Sequence, residues 1–270
     1  MTREEKIELG LIGHYSDALK HFDESHIVGL FLQGSQNYNL DYEESDIDTK
    51  LIVVPTFKDI ALARKPVSTT FIRENDEHVD FKDIRLYAET FKKQNLNFLE
   101  ILFTPYHYIT PLYREEWMRL VDAREGIAHM NPWRAVKSMK GIALEKYHAM
   151  EHDYPSRRHV LAKYSYDPKQ LHHLVRVDYF LTQYIAGKSY EETMIPEEKM
   201  KAFLMDIKRG NWELAAAREL ADQSLAHINK ISDEFFAETE DKEDPAMREL
   251  LEDVSYNIMK IAVEEVLKYE

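Results

Sequence analysis

The segment 30–54, LFLQGSQNYNLDYEESDIDTKLIVV, contains residue types that bind phosphate groups and divalent cations. An apolar stretch runs into Gly34-Ser35, and a second apolar stretch opens with Asp46, Ile47 and Asp48. Glycine lets a backbone approach phosphates closely, and the Ser35 hydroxyl with nearby main-chain N–H groups can donate hydrogen bonds to them. Because side chains alternate across a strand, Asp46 and Asp48 are predicted to share one face while Ile47 turns into the core.

Two carboxylates on one face are typical of a magnesium site. At about 4 Å they repel by roughly 4 kcal/mol for an effective dielectric near 20, and a divalent cation removes that penalty. Magnesium prefers six oxygen ligands and commonly takes some of them from substrate phosphates. A lone Gly-Ser is usually an ordinary turn and a lone Asp-x-Asp a solvated strand edge, but their conjunction at strand junctions predicts a triphosphate site with two Mg²⁺ (or Mn²⁺) ions.

The elements that position these residues follow from the hydrophobic pattern. Residues 4–22 have the spacing of an amphipathic helix, and residues 27–34 and 46–55 are typical of buried strands. Two further strands are predicted around residues 67–73 and 78–86. Helices are predicted at about residues 87–103, 112–122, 131–152, 167–187, 196–208, 212–237 and 246–269.

Two prolines in residues 104–111 indicate a break and a domain junction near residue 110. The predicted fold is therefore α+β, with a small mixed β-sheet in residues 1–110 and a C-terminal α-helical domain in residues 111–270.

The pattern Gly34-Ser35, then Asp46-Ile47-Asp48, then the DIRL segment that starts at Asp83 resembles the DNA polymerase β superfamily of nucleotidyltransferases. Residues 95–103, NLNFLEILF, and 166–176, YDPKQLHHLVR, are similar to a group of predicted bacterial and phage nucleotidyltransferases in that superfamily. The resemblance covers about residues 27–215. Tyr38 and Asn39 depart from it, since many relatives carry a small or basic residue there.

The resemblance implies an enzyme that transfers a nucleoside monophosphate from a triphosphate such as ATP to an acceptor hydroxyl, with release of pyrophosphate. The triphosphate would lie against the Gly34-Ser35 turn, and the helical domain would close over the nucleotide cleft. Asp46 and Asp48 would bridge both ions, and Asp83 would ligate the catalytic one. Asp80 remains an alternative to Asp83 as the third acid. The two residues lie on opposite faces of an unbroken strand, and the alternation of the strand does not show which face holds the metal ions.

A basic stripe is predicted in the helical half. Lys169, His173 and Arg176 recur at i, i+4 and i+7, so they share one helix face. This stripe either binds triphosphate oxygens or forms a solvated, salt-bridged face. Glu100, in an apolar helical segment, either supports the site or pairs with a basic residue, and we favour a structural role.

Composition limits the partners. Lys and Arg number 35 against 49 Asp and Glu, and the net charge of −14 argues against extended DNA binding. Without Cys there is no disulfide framework or thiolate nucleophile. No signal peptide and no apolar run of roughly 18 residues is found, so a cytoplasmic protein with no membrane association is expected.

The acceptor stays open between a small molecule, a protein side chain and an RNA 3′ end. The alternatives are a non-catalytic nucleotide-binding or regulatory module of the same fold and an aminoglycoside-type nucleotidyltransferase, since an acidic surface suits a cationic acceptor.

Overall fold

The computed structural model describes residues 1–268, which divide into two compact units. The first unit contains residues 1–37, residues 41–130 and the segment from residue 243 onward. The second contains residues 38–40 and 131–242. The predicted junction near residue 110 differs from this division, because the helix at Arg114–Asp122 and the last helix pack against each other within the first unit.

A five-stranded mixed sheet forms the centre of the first unit. Its strands are β1 (Ile27–Gln33), β2 (Asp48–Val53), β3 (Ser68–Ile72), β4 (His78–Asp83) and β5 (His107–Ile109). The order is β3-β4-β2-β1-β5, with β2 and β4 parallel and the other neighbours antiparallel. The predicted mixed sheet and its first four strands are confirmed. Strand β5 falls in the stretch predicted to be only a break.

Helices make up most of the remaining chain. In chain order they are α1 (Arg3–Ala18), α2 (Phe57–Ala61), α3 (Ile84–Lys92), α4 (Leu96–Leu99), α5 (Arg114–Asp122), α6 (Arg124–Ala128), α7 (Pro132–Ala149), α8 (Arg158–Tyr164), α9 (Pro168–Ile185), α10 (Tyr190–Met194), α11 (Glu198–Lys208), α12 (Leu214–Glu238) and α13 (Pro245–Leu267). The five long helices predicted after residue 130 are confirmed as α7, α9, α11, α12 and α13. Residue 269, where the last of these was predicted to end, lies outside the described residues.

Helix α1 covers one face of the sheet. It begins at a capping box formed by Thr2 and Glu5, which satisfies main-chain N–H groups at its start. Ile7 on this helix packs with Ile47 and the β1 residue Leu32. The prediction that Ile47 turns into the core is therefore confirmed. A larger apolar cluster on the same face consists of Ala18, Ile27, Leu30, Leu51, Val53, Val79 and Phe81.

The second unit is a helical bundle around α9. This helix begins at the N-cap Asp167, whose side chain accepts a hydrogen bond from the Lys169 N–H, and has proline at its first position. Its apolar side packs against α7, α11 and α12. Within residues 1–268, no helix combines the length and the apolar character needed to cross a membrane.

Candidate functional site

The Gly34-Ser35 turn lies directly beside Asp48. In the antiparallel pair of β1 and β2, Gln33 is the register partner of Asp48, so the turn after β1 and the start of β2 meet at one end of the sheet. Gly34 has φ +95°, a left-handed conformation that favours glycine, and a short 3-10 turn begins at Ser35. The Gly34 N–H faces Glu100 Oε1 at 3.4 Å. Buried Glu100 therefore contacts the turn itself, which corresponds to the less favoured alternative of a residue that supports the site.

Two buried amide side chains hold this turn in place. Gln36 Nε2 donates to the carbonyl oxygen of Asp46 at 2.6 Å. Asn37 Nδ2 donates to the Leu32 carbonyl at 2.9 Å, and Asn37 Oδ1 accepts from the Thr104 hydroxyl at 2.7 Å. The turn is therefore fixed both to β1 and to the segment that carries the acids. The sequence analysis did not identify either amide, although both directly follow the Gly-Ser pair.

The two acids before and at the start of β2 are in different settings. The strand begins at Asp48, two residues later than predicted, so Asp46 lies in the preceding loop and is exposed. The Asp48 side chain is 30% exposed, and its Oδ1 accepts from the main-chain N–H of His78 at 2.9 Å. The His78 Nδ1 lies 3.2 Å from the same oxygen. Strand β4 therefore orients the Asp48 carboxylate.

A buried polar network holds the backbone on both sides of Asp48. His14, on α1 and 0% exposed, places Nδ1 2.8 Å from the Thr49 hydroxyl and Nε2 3.0 Å from Glu77 Oε2. The other oxygen of Glu77 accepts from the Ile47 N–H at 3.3 Å. The Ile47 N–H and the Thr49 hydroxyl, one on each side of Asp48, are thus hydrogen-bonded to Glu77 and His14 respectively. Neither interior side chain was identified from the sequence.

Burial and pairing set the charges in this network. Burial lowers the pKa of His14 and outweighs the opposing effect of the Glu77 carboxylate. Burial alone would raise the pKa of Glu77, but hydrogen bonds from His14, Asn75 and Arg73 lower it. A neutral His14 that donates a hydrogen bond from Nε2 to ionised Glu77 can accept a hydrogen bond from the Thr49 hydroxyl at Nδ1. All three groups are then satisfied.

Asp80 lies on the same face of the sheet as Asp48. In the parallel pair of β2 and β4, Asp80 is the register partner of Lys50, which is two residues after Asp48. The Thr70 hydroxyl donates to Asp80 Oδ1 at 2.6 Å, and Gln33 Nε2 donates to Oδ2 at 3.4 Å. The ammonium nitrogen of Lys50 lies 3.5 Å from the same Oδ2. Asp80 is therefore already hydrogen-bonded and charge-paired.

Lys50 is a buried cation in the centre of this face. The residue is 3% exposed, and its ammonium donates to Gln33 Oε1 and lies 4.4 Å from the centre of the Phe98 ring. Lys82 lies 3.9 Å from the same ring, and burial together with the charge of Lys50 lowers the pKa of Lys82. A single Lys inside the apolar run that follows Asp48 was the available signal for this cation, and the sequence analysis did not use it.

Asp83 is not brought to Asp48. Strand β4 ends at Asp83 instead of continuing to residue 86, because the Asp83 side chain accepts the Arg85 N–H at 2.9 Å and caps α3. Arg85 also binds both carboxylate oxygens, at 2.9 and 2.6 Å. The register partner of Asp83 is Val53, five residues after Asp48, which corresponds to about 16 Å along the strand. The structure thus favours Asp80, the alternative left open by the sequence, as the acid near Asp48.

A pair of ions shared by three acids does not fit this arrangement. Asp83 is far from Asp48, and Asp80 faces the Lys50 ammonium. A divalent ion about 4 Å from an ammonium is repelled by roughly 8 kcal/mol at an effective dielectric near 20. Within residues 1–268, no three His, Asp or Glu side chains are arranged to hold a metal ion. Exposed Asp46 and part-exposed Asp48 carry carboxylate oxygens, the donors that magnesium prefers.

The predicted basic stripe lies on α9 in the second unit. Lys169 is exposed, His173 is partly buried and Arg176 is 7% exposed. Burial, reinforced by the charge of Arg176, lowers the pKa of His173 well below its usual range, so this residue is neutral near pH 7. Arg176 Cζ lies 4.0 Å from the centre of the Tyr38 ring, and Arg176 Nη1 has no hydrogen-bond partner among the described residues. Only two of the three predicted groups are therefore cationic.

No protein-family model matches the chain, and no curated protein matches it significantly. Among the solved structures that match is a crystal structure of a nucleotidyltransferase-like protein from Exiguobacterium sibiricum 255-15. This likeness covers 84% of the present chain and 74% of the other, with 10% identity and a TM-score of 0.32.

Proposed function

We propose that this chain binds a nucleoside triphosphate at the turn after β1 and transfers its nucleotidyl group to an acceptor hydroxyl. The observation that carries the proposal is the register pair of Gln33 and Asp48, which sets a glycine turn with positive φ against an acidic segment. A glycine-rich turn accommodates phosphates, and carboxylates bind the cation that accompanies them. The resemblance to nucleotidyltransferases in the same residues supports this assignment.

In the proposed reaction the acceptor oxygen attacks the α-phosphorus, the bond from that phosphorus to the bridging oxygen breaks, and pyrophosphate leaves. Gly34 leaves space for the phosphates, and the Ser35 hydroxyl donates to one of their oxygens. A divalent cation held by Asp46 and Asp48 would neutralise phosphate charge. The hydrogen bond from the His78 main chain keeps Asp48 oriented for this task.

We assign to Asp80 the orientation of the acceptor hydroxyl. Its carboxylate lies on the Asp48 face, and a carboxylate can accept the proton of an attacking hydroxyl. Asp83 does not orient the acceptor, because its carboxylate is bound by the Arg85 side chain and by the N–H at the start of α3.

The test is transfer of label from each of four α-labelled ribonucleoside triphosphates, with Mg²⁺ or Mn²⁺ and cell extract, followed by identification of the labelled product. A parallel series offers an aminoglycoside panel as acceptor. We expect one triphosphate to label one class of acceptor and to release pyrophosphate in equal amount, and we expect Asp48→Asn to remove both signals.

The matched control is Asp76→Asn, the same replacement at an exposed turn residue with positive φ, a conformation that Asn adopts readily. Triphosphate binding without transfer to any acceptor would identify a nucleotide-binding module instead. Absence of triphosphate binding would refute the proposal.

A further inference from the structure

The Lys50 ammonium, on the face of the sheet that carries Asp48 and Asp80, affects how many metal ions the candidate site can hold. Lys50 is buried at a central strand, and its ammonium contacts three groups: the amide oxygen of Gln33, the carboxylate of Asp80 and the ring of Phe98. A buried ammonium without compensation is costly, whereas one with a carboxylate, an amide oxygen and an aromatic face is well accommodated. Lys50 is therefore a fixed part of this face.

The position of Lys50 along the sheet is equally specific. It follows Asp48 by two residues on β2 and is the direct register partner of Asp80 on β4. A cation that bridges the two acids must come close to this ammonium, and like charges repel strongly where water is excluded. The positive charge that a second divalent ion would bring to Asp80 is already supplied by the chain.

We infer that the site binds one divalent cation, at Asp46 and Asp48, and that the Lys50 ammonium takes the place beside Asp80 of a second ion. This inference rests on the proposed function and makes it more specific. Asp80 acts as a carboxylate neutralised by a side chain, and the one bound cation has its protein ligands on the segment that starts β2. The oxygen ligands that the cation still needs come from the triphosphate and water.

The experiment counts Mn²⁺ ions retained per chain, measured by electron paramagnetic resonance after ultrafiltration. The probes are Mn²⁺ alone and Mn²⁺ with the non-hydrolysable α,β-methylene analogue of each ribonucleoside triphosphate. An acidic chain also retains cations at its surface. The occupancy of the site is therefore the number of Mn²⁺ ions retained per parent chain minus the number retained per Asp48→Asn chain. We expect a difference of one ion per chain.

Variants of Lys50 test its place in the site. Lys50→Met removes the charge but keeps an unbranched side chain of similar length against Phe98, and the difference should rise to two ions. Lys50→Arg keeps a cation, so the difference should stay at one. Lys82→Met is the matched control, since it removes a neighbouring lysine from the same ring and should also leave one ion.

Asp80→Asn keeps the inference testable if Lys50→Met does not fold. In the parent background this variant should leave the count at one, because the bound ion does not use Asp80. A parent difference of two ions, a loss of one ion in Asp80→Asn, or no gain in folded Lys50→Met would each overturn the inference while the proposed function stands. A parent difference of zero with every probe would overturn both.

Discussion

The side-chain amide of Gln36 donates a 2.6 Å hydrogen bond to the carbonyl oxygen of Asp46. This bond ties the turn after β1 to the loop that carries the first acid of the candidate site. The two segments are separated in sequence by the stretch 37–45, which includes residues assigned to the second unit. This bond therefore fixes the turn after β1 relative to Asp46.

Gln36→Met should reduce nucleotidyl transfer by roughly 5-fold, because loss of one net hydrogen bond of about 1 kcal/mol loosens the turn relative to Asp46. The free energy of unfolding should fall by a similar amount. Steady-state kinetics and urea unfolding measure the two effects. Gln223→Met, at an exposed position on α12, is the control and should change neither. Unchanged kinetics in a destabilised Gln36→Met protein would limit Gln36 to a structural role.

Asp80→Asn should impair transfer, whereas Asp83→Asn should impair stability. Asp80→Asn should lower transfer by at least about 100-fold in a folded protein, as expected for loss of a group that accepts a proton. Asp83→Asn should destabilise the first unit by about 1–3 kcal/mol, because Arg85 loses its charged partner, while transfer per folded molecule is retained. Thermal unfolding and initial rates on both variants decide the assignment. Loss of transfer in Asp83→Asn with full transfer in Asp80→Asn would reverse it.

Stability should fall between pH 7 and pH 5 partly because of His172. Burial lowers the pKa of His172 to about 3, and its Nδ1 lies 2.9 Å from the Leu204 carbonyl. The unfolded chain takes up a proton near pH 6.5 and the folded chain does not, so this stabilising contribution is complete above pH 6.5 and is lost as pH falls. The loss from pH 7 to pH 5 is about 2 kcal/mol.

The variant His172→Asn keeps a donor near the Leu204 carbonyl but does not titrate. Its unfolding free energy in urea should therefore depend less on pH than that of the parent by about 2 kcal/mol over this interval. Parallel pH profiles of the two proteins would show that His172 does not contribute.

The phosphate-binding role predicted from the sequence for the stripe on α9 implies that Arg176→Met weakens triphosphate binding by roughly 10- to 150-fold, since a charge-assisted contact to phosphate contributes about 1.5–3 kcal/mol. Binding of the unphosphorylated nucleoside should change little. Lys169→Ala should have a smaller effect of the same kind, because Lys169 is exposed. Calorimetry with both ligands gives the comparison, and exposed Lys230→Ala on α12 is the control. Equal effects on triphosphate and nucleoside would show that the stripe is a structural face that does not bind phosphate.

The strands around the candidate site could be predicted because their patterns are local. The apolar run into Gly34 and the alternation through Ile47 place a turn and an acid beside a buried strand, and the structure has both there. The end of β4 could not be predicted from period-two alternation, since the hydrogen bond from the Arg85 N–H to Asp83 decides it. Capping depends on one side-chain conformation that the apolar pattern does not encode.

The partners of the acids could not be predicted, because they are set by strand register. Lys50 meets Asp80 only because β2 and β4 are parallel and aligned as they are. His14 meets Thr49 and Glu77 only because α1 lies on the opposite face of the sheet. Contacts between residues 30 or more positions apart carry no local sequence signature, so the interior charges of the site emerged only from the three-dimensional structure.

The chain leaves the first unit after Met130 and re-enters it at Glu243, and the Asp244 N–H donates to the Met130 carbonyl at 2.7 Å. The large helical segment is thus an insertion whose two ends are adjacent. During synthesis on the ribosome, the first unit must wait for the insertion to be translated before α13 can pack against α3 and α5. Helix α13 is therefore translated after the rest of the first unit, and a nascent chain that stalls shortly before residue 245 lacks the helix that packs against α3 and α5.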